Sequence, residues 1–202
     1  MNRKFVSGLV LGAGASSRFG QPKQLLPFRG GTLLGWVINQ AERATGLDEV
    51  VVVLGRAVDE IQEKVDLGNA KVVENPVFGS GCASSYRAGI GALDPRSDAV
   101  VILLGDQPGV DPETINHVAD EWRRSDGQIA LASYRGREGH PMLFARPLFD
   151  KLVGLHGDKV AGQLVDGNPD MVRVLPFVRP FPEDIDTVED CQRVTRNDER
   201  QK

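Results

Sequence analysis

The segment LVLGAGASSRFGQPKQLLPF, from Leu9 to Phe28, places glycines, serines, an arginine and a lysine directly after an apolar run. Gly12 and Gly14 lack a Cβ, so the chain can take positive φ and approach a ligand closely, with successive amides converging on phosphate oxygens. The expected cradle runs through Leu11, Gly12, Ala13, Gly14, Ala15 and Ser16. Arg18 adds a planar fork that can bond phosphate bidentately, and Lys23 a point charge for a bridging or departing phosphate oxygen. No GxxxxGK followed by Ser or Thr occurs, and GAGASS lacks the third glycine of GxGxxG, which disfavours a dinucleotide site. Taken alone, the segment reads equally as a flexible turn with solvated charges.

Two acidic positions complete the chemistry. Asp106 follows the run AVVILL, and in a parallel α/β sheet a carboxylate at the carboxyl end of a strand points into the ligand crevice. It is a candidate Mg²⁺ ligand, because Mg²⁺ in phosphoryl-transfer sites is held by one or two carboxylates plus substrate phosphates. Its ordinary alternative is to bond turn amides. Glu183, Asp184 and Asp186 stand in PEDIDTVED, which reads as the end of a short strand leading into a helix begun at Thr187. Asp186 either closes the metal site or, with Thr187, caps that helix.

These groups need a frame. Apolar residues run from Phe5 to Leu11, then recur at helical spacing from Thr32 to Ala44. Val50–Leu54 and Ala70–Val73 read as strands, with short helices over Val58–Val65 and Ala83–Leu93. The continuous apolar run Ala99–Leu104 fits a central strand covered on both faces. Pro112–Trp122 reads as a helix capped by Asp111, and Ile129–Tyr134 as a strand. Beyond lie a loop of Gly and Arg, a strand-like Met142–Phe144, and helical stretches near Leu148–Val153 and Lys159–Val165. Strands alternating with helices predict an α/β fold: a single domain over residues 1–195, with a mostly parallel sheet and helices on both faces. Residues 196–202 end a polar, charged tail expected to be disordered.

Composition narrows the function classes. The 202 residues carry 24 Lys plus Arg against 28 Asp plus Glu, a formal net charge of -4, without the basic excess that a nucleic-acid partner demands. No stretch approaches the roughly 18 apolar residues of a spanning helix, so no membrane role and a cytoplasmic location are expected. Cys82 and Cys191 lack the spacing of a zinc site or a disulfide framework, and both are read as reduced thiols.

Taken in order, LGAGASSRFGQPKQLLP, NPVFGSGCASSYRAG, GDQP, GHPMLF and DIDTVED resemble the MobA-like nucleotidyltransferases across nearly the whole chain. The nearest branch is the molybdenum cofactor cytidylyltransferases, whose first motif resembles LAAGxSxRMGxxKxLLP. The resemblance implies a glycosyltransferase-A type fold that moves CMP from CTP to the terminal phosphate of molybdenum-molybdopterin, with Mg²⁺ bridging the phosphates and pyrophosphate released. On that pattern Lys23 and Arg18 contact phosphates as catalytic groups, Asp106 holds Mg²⁺, and Asp186, or Asp184 two residues away, is the second ligand. Asn75, Gly81 and Ser84 would meet base and ribose, although Asn75-Pro76 also reads as a plain turn. His140 and Pro141 would face the pterin acceptor. A molybdenum hydroxylase apoenzyme is the implied recipient of the product. Gly12 and Phe19 stand where that motif has Ala and Met, while Ala13 with QPKQ leans toward the cytidylyl branch and away from guanylyltransferases. A sugar-phosphate nucleotidyltransferase and a non-catalytic delivery chaperone are the rival readings.

Overall fold

The computed structural model describes residues 3–14, 22–125, 127–187, 189–191 and 193–194. Strand β1 (Val6–Leu11) is followed by a small antiparallel ribbon, β2 (Pro27–Phe28) with β3 (Gly31–Thr32), and then by α1 (Leu33–Glu42). Thr32 caps α1 by accepting from the Gly35 amide at 3.2 Å. β4 (Glu49–Leu54), α2 (Val58–Lys64), β5 (Lys71–Glu74), α3 (Cys82–Gly91) and β6 (Ala99–Leu104) continue the alternation. α4 (Pro112–Arg123) starts as the sequence predicts, with Pro112 in its first turn and the Asp111 carboxylate accepting from the Thr114 amide at 2.8 Å. β7 (Ile129–Tyr134), β8 (Arg137–Ala145), α5 (Phe149–Gly154), α6 (Val160–Asp166) and β9 (Val172–Phe177) follow.

The main sheet has seven strands in the order β5-β4-β1-β6-β8-β7-β9. β6 lies at its middle and β1 beside it, parallel to both β4 and β6, so the loops leaving β1 and β6 emerge side by side. Gly105 permits that approach: a Cβ there would stand 3.1 Å from the Leu11 carbonyl oxygen and 3.2 Å from the Gly12 Cα. β8 runs antiparallel between β6 and β7, while β9 rejoins β7 in parallel. The sheet is therefore mostly parallel, as the alternation predicts.

Strand alternation sorts the core into two layers. Val10, Val52, Val101 and Leu103 meet α1 and α4 through Leu34, Ile38, Ile115 and Trp122. On the opposite face, Leu9, Val51, Val53 and Ile102 meet α3, α5 and α6 through Ala83, Tyr86, Leu152 and Leu164. A third cluster joins Leu26, Phe28 and Leu33 to Ile185 and Cys191, so the C-terminal segment docks on the β2-β3 ribbon beside the first loop.

Three details depart from the sequence reading. The loop expected after Tyr134 is only Arg135 and Gly136, both at positive φ, and β8 already includes Arg137–Gly139. Such paired positive-φ residues make a two-residue hairpin whose twist suits the strands. Residues 181–186 form no strand, because Ile185 is held by one backbone bond to a turn and not by a ladder. β9 is an addition. The expected tail lies outside the described residues. Among the described residues, no helix is long and apolar enough to cross a membrane.

Candidate active site

The ends of β1 and β6 floor a cavity of about 400 Å³, lined by Leu11, Gly12, Ala13 and Gly14 on one side and Leu104, Gly105 and Asp106 on the other. The start of the loop is pinned from behind. Gly12 N–H donates to the Val53 carbonyl at 2.9 Å, and the buried Gln24 amide donates to the carbonyls of Gly12 (2.5 Å) and Gly14 (3.2 Å). Spending those carbonyls on Gln24 fixes the peptide planes at the start of the turn, a fixed frame of the kind that lets amides act on an anion. Ala15, Ser16 and Arg18, expected in this cradle, lie outside the described residues.

Lys23 opens a 3-10 turn, Lys23–Leu25, that leads into β2. Its Nζ lies 2.5 Å from Asp106 Oδ2 and 3.4 Å from Asp186 Oδ1, so one ammonium joins the first loop, the turn after β6 and the C-terminal segment. Burial disfavours the charged lysine, but the Asp106 carboxylate, with Asp186 adding to it, outweighs burial and raises the Lys23 pKa above its ordinary value. Lys23 is a fixed cation here.

Local structure explains why Asp186 is available. Thr187 takes the capping role: its Oγ1 accepts from the Asp190 amide at 3.0 Å, and Asp190 reaches back to the Asp186 amide at 3.2 Å. The Asp186 side chain is thus released from capping and half exposed beside Lys23. Asp184 is used differently, accepting from Gln107 Nε2 at 2.7 Å. Burial pushes its pKa up, the Gln107 bond opposes this, and the charges of Asp106 and Asp186 add to the rise. Among the described residues no group of three or more His, Cys, Asp or Glu is arranged for a metal ion; Asp106 and Asp186 are a pair.

The structure places the other expected contacts unevenly. Gly81 lines the cavity, together with Phe78, Cys82 and Ser85. Asn75 and Ser84 are not on its wall: Asn75 is 1% exposed, and its amide donates to Ser84 Oγ (2.8 Å) and Ser85 Oγ (3.2 Å). Its Oδ1 accepts from the Val77 amide, and Ser84 Oγ donates to the Gly81 carbonyl. Both residues therefore brace the segment, Phe78 to Ser85, that lines the cavity. His140 and Pro141 lie on β8, outside the cavity lining. The His140 carbonyl accepts from Tyr134 Oη at 2.7 Å, its buried Nε2 has no hydrogen-bond partner among the described residues, and burial holds the imidazole pKa down to about 4.

A family model for the MobA-like NTP transferase domain matches residues 8–172. The chain belongs to that family. Over 94% of its length it is 34% identical to the nicotine blue oxidoreductase of Paenarthrobacter nicotinovorans, covering 96% of that protein. It is 30% identical to the molybdenum cofactor cytidylyltransferase of Escherichia coli over 69% of each chain. Among solved structures, the manganese complex of Rv0371c from Mycobacterium tuberculosis superposes with a TM-score of 0.82 at 35% identity, covering 95% of this chain and 98% of that one. As a MobA-like NTP transferase domain, the protein has the doubly covered, mostly parallel sheet that the motif order implies.

Several contributors to the site have parts that the motifs do not show. Gln24 adjoins Lys23, yet only the fold shows it turned inward onto the loop carbonyls. Gln107 is legible as part of GDQP, but its bond to Asp184 joins positions remote in sequence. Phe78, within NPVFGSG, and Asp158, outside every motif, also line the MobA-like cavity.

Proposed function

We propose that this chain transfers CMP from CTP to the terminal phosphate of molybdenum-bearing molybdopterin and releases pyrophosphate. The observation that carries the reading is that Lys23 and Asp106, paired on the wall of a glycine-floored cavity, are joined through the Lys23 ammonium to Asp186 beside it. An acceptor phosphate oxygen forms a bond to the α-phosphorus while the bond from that phosphorus to the oxygen bridging to the β-phosphate breaks. The electron pair leaves with pyrophosphate. The acceptor is already anionic, so no Ser, Cys or His nucleophile is called for, and placement and charge neutralisation set the rate.

Asp106 and Asp186 would hold Mg²⁺ through carboxylate oxygen, and the bound ion would supply positive charge beside the phosphates. The fit rests on the donor set: two hard carboxylates from separate segments already share one cation, the Lys23 ammonium. Lys23 serves as the protein's own charge for the departing pyrophosphate, with Arg18 contributing from the same loop. His140 and Pro141 are the proposed acceptor side.

The test is pyrophosphate release from CTP or GTP with molybdopterin or sugar phosphates, with and without Mg²⁺ or Mn²⁺. Metal-dependent release with CTP and molybdopterin is expected. Lys23→Ala or Asp106→Ala should abolish turnover while the fold persists, and an unchanged rate in either variant refutes the assignment. Preference for GTP or a sugar phosphate would move the assignment within the family. Binding without release would favour a delivery chaperone, for which capture of a molybdenum hydroxylase apoenzyme is the companion assay.

The extent of the match to a relative named nicotine blue oxidoreductase supports a second reading, an electron-transfer reaction in the same cavity. Such a reaction places no demand on Asp186 beside Lys23. Oxidation of a reduced nicotinamide cofactor by an added dye, without pyrophosphate release from any nucleotide, would favour it.

A further inference from the structure

The cavity contains a carboxylate that the proposed transfer leaves unused. Asp158 sits between α5 and α6 and lines the cavity with Gly81, Cys82 and Ser85. Its Oδ1 accepts from the amide of Cys82, the first residue of α3, at 3.3 Å. The neighbouring Gly157 carbonyl accepts from the Ala83 amide at 3.3 Å, so residues 157 and 158 dock together on the first turn of α3. Gly81, at φ 101°, takes the positive φ that favours glycine just before this contact.

Other polar side chains on the described wall are already engaged. Lys23 holds Asp106, Gln24 holds the loop carbonyls, and Ser85 Oγ accepts from Asn75. Asp158 is exposed on the cavity wall and, among the described residues, makes one long bond, to Cys82, through Oδ1, which leaves Oδ2 as acceptor capacity. Charge follows the same division. A helix N-terminus ordinarily attracts phosphate, but here a carboxylate already offsets its partial positive charge. On the opposite wall Lys23, paired with Asp106 and Asp186, would draw phosphate together with the metal ion that the proposed function places there.

We propose that Asp158 is a specificity-determining residue that orients the nucleotide, repelling phosphate from the start of α3 and accepting a hydrogen bond from a donor on the nucleoside, a base amine or a ribose hydroxyl. The proposal rests on the nucleotidyl-transfer reading above. It adds one residue, Asp158, to the orientation that the motifs imply, with the triphosphate on the β1 side of the cavity and the nucleoside on the α3 side.

Asp158→Asn tests it with little change of shape. The Cys82 amide fixes the asparagine oxygen where Oδ1 stands, so the amide nitrogen replaces Oδ2 and an acceptor becomes a donor. Equilibrium binding of CTP, UTP, 2′-deoxy-CTP and inorganic tripolyphosphate is measured with Mg²⁺ and no acceptor, for the unsubstituted protein and the variant, beside their melting temperatures. CTP affinity should fall roughly tenfold or more, because the ligand's donor then meets a donor. If a base amine is read, UTP, with a carbonyl in its place, gains relative to CTP. If a ribose hydroxyl is read, the preference for CTP over 2′-deoxy-CTP shrinks. Tripolyphosphate should bind the variant more tightly. Unchanged ratios among the probes in a folded variant overturn this proposal alone. No nucleotide binding by the unsubstituted protein overturns it together with the function it rests on.

Discussion

The backbone amide of Ile185 donates to the carbonyl of Asp106 across 2.9 Å, joining the C-terminal segment to the turn after β6. One residue on, the Asp186 carboxylate comes within 3.4 Å of Lys23, which also holds Asp106. The pairing of two carboxylates 80 positions apart thus depends on one backbone bond and on the burial of the side chain between Asp184 and Asp186.

Ile185 is fully buried against Leu26, Phe28 and Leu33, so Ile185→Ala removes the packing that holds this segment. A loss of about 2 kcal/mol or more is expected. Chemical denaturation measures the loss, and hydrogen exchange should show residues 181–191 opening first. Mn²⁺ binding should weaken in the same variant; full metal affinity with a loosened segment would detach Asp186 from the metal site.

Asp184 and Asp186 are separable by substitution. Asn at either position keeps an acceptor oxygen and removes the charge. Asp184 is turned to Gln107 and Asp186 to Lys23, so Asp186→Asn should weaken Mn²⁺ binding in the presence of nucleotide about tenfold or more, and Asp184→Asn only slightly. Manganese paramagnetic resonance titration reads both. The reverse ranking would reassign the second ligand to Asp184.

Asn75→Ala distinguishes bracing from contact. Its amide joins Ser84 and Ser85 at the start of α3, and losing buried hydrogen bonds of this kind costs about 1–3 kcal/mol. The expected result is a lower melting temperature, a KM for nucleotide raised several-fold, and a kcat near that of the unsubstituted protein. A large fall in kcat with unchanged stability would mean that Asn75 touches the reacting nucleotide.

The central parallel strands β1, β4 and β6 were legible because they are largely buried on both faces and read as apolar runs, AVVILL above all. β9 was not, since as an edge strand it alternates weakly, carries Pro176 and leaves Val174 exposed. Local chemistry made Lys23 and Asp106 candidates, a lysine after a glycine loop and an acid after a central strand, the order of the motifs favoured them, and the fold brings the two together. The role of Asn75 was not, because burial separates a residue that touches a ligand from one that braces the residues that do. Asp158 lay in a stretch without periodicity, and only the docking of the α5–α6 connection on α3 brings it to the cavity.

His140 gives the stability a pH dependence whose sign can be worked out. In the unfolded chain its imidazole takes a proton near 6.5, whereas burial holds the folded value down to about 4. Between those values the unfolded state binds more protons, so stability is full above pH 6.5 and is lost as pH falls through 4. The full effect is on the order of 3 kcal/mol, of which about 2 kcal/mol should be lost by pH 5. His140→Leu removes the titrating group and its unpartnered Nε2, so its stability should change less between pH 7 and pH 5. Denaturant unfolding of both proteins at the two pH values checks this, and parallel losses would clear the imidazole as the cause. A neutral His140 at pH 7 also constrains its proposed acceptor-side role: it would meet the acceptor as a hydrogen-bonding group, leaving the phosphate's charge to Lys23, Arg18 and the metal.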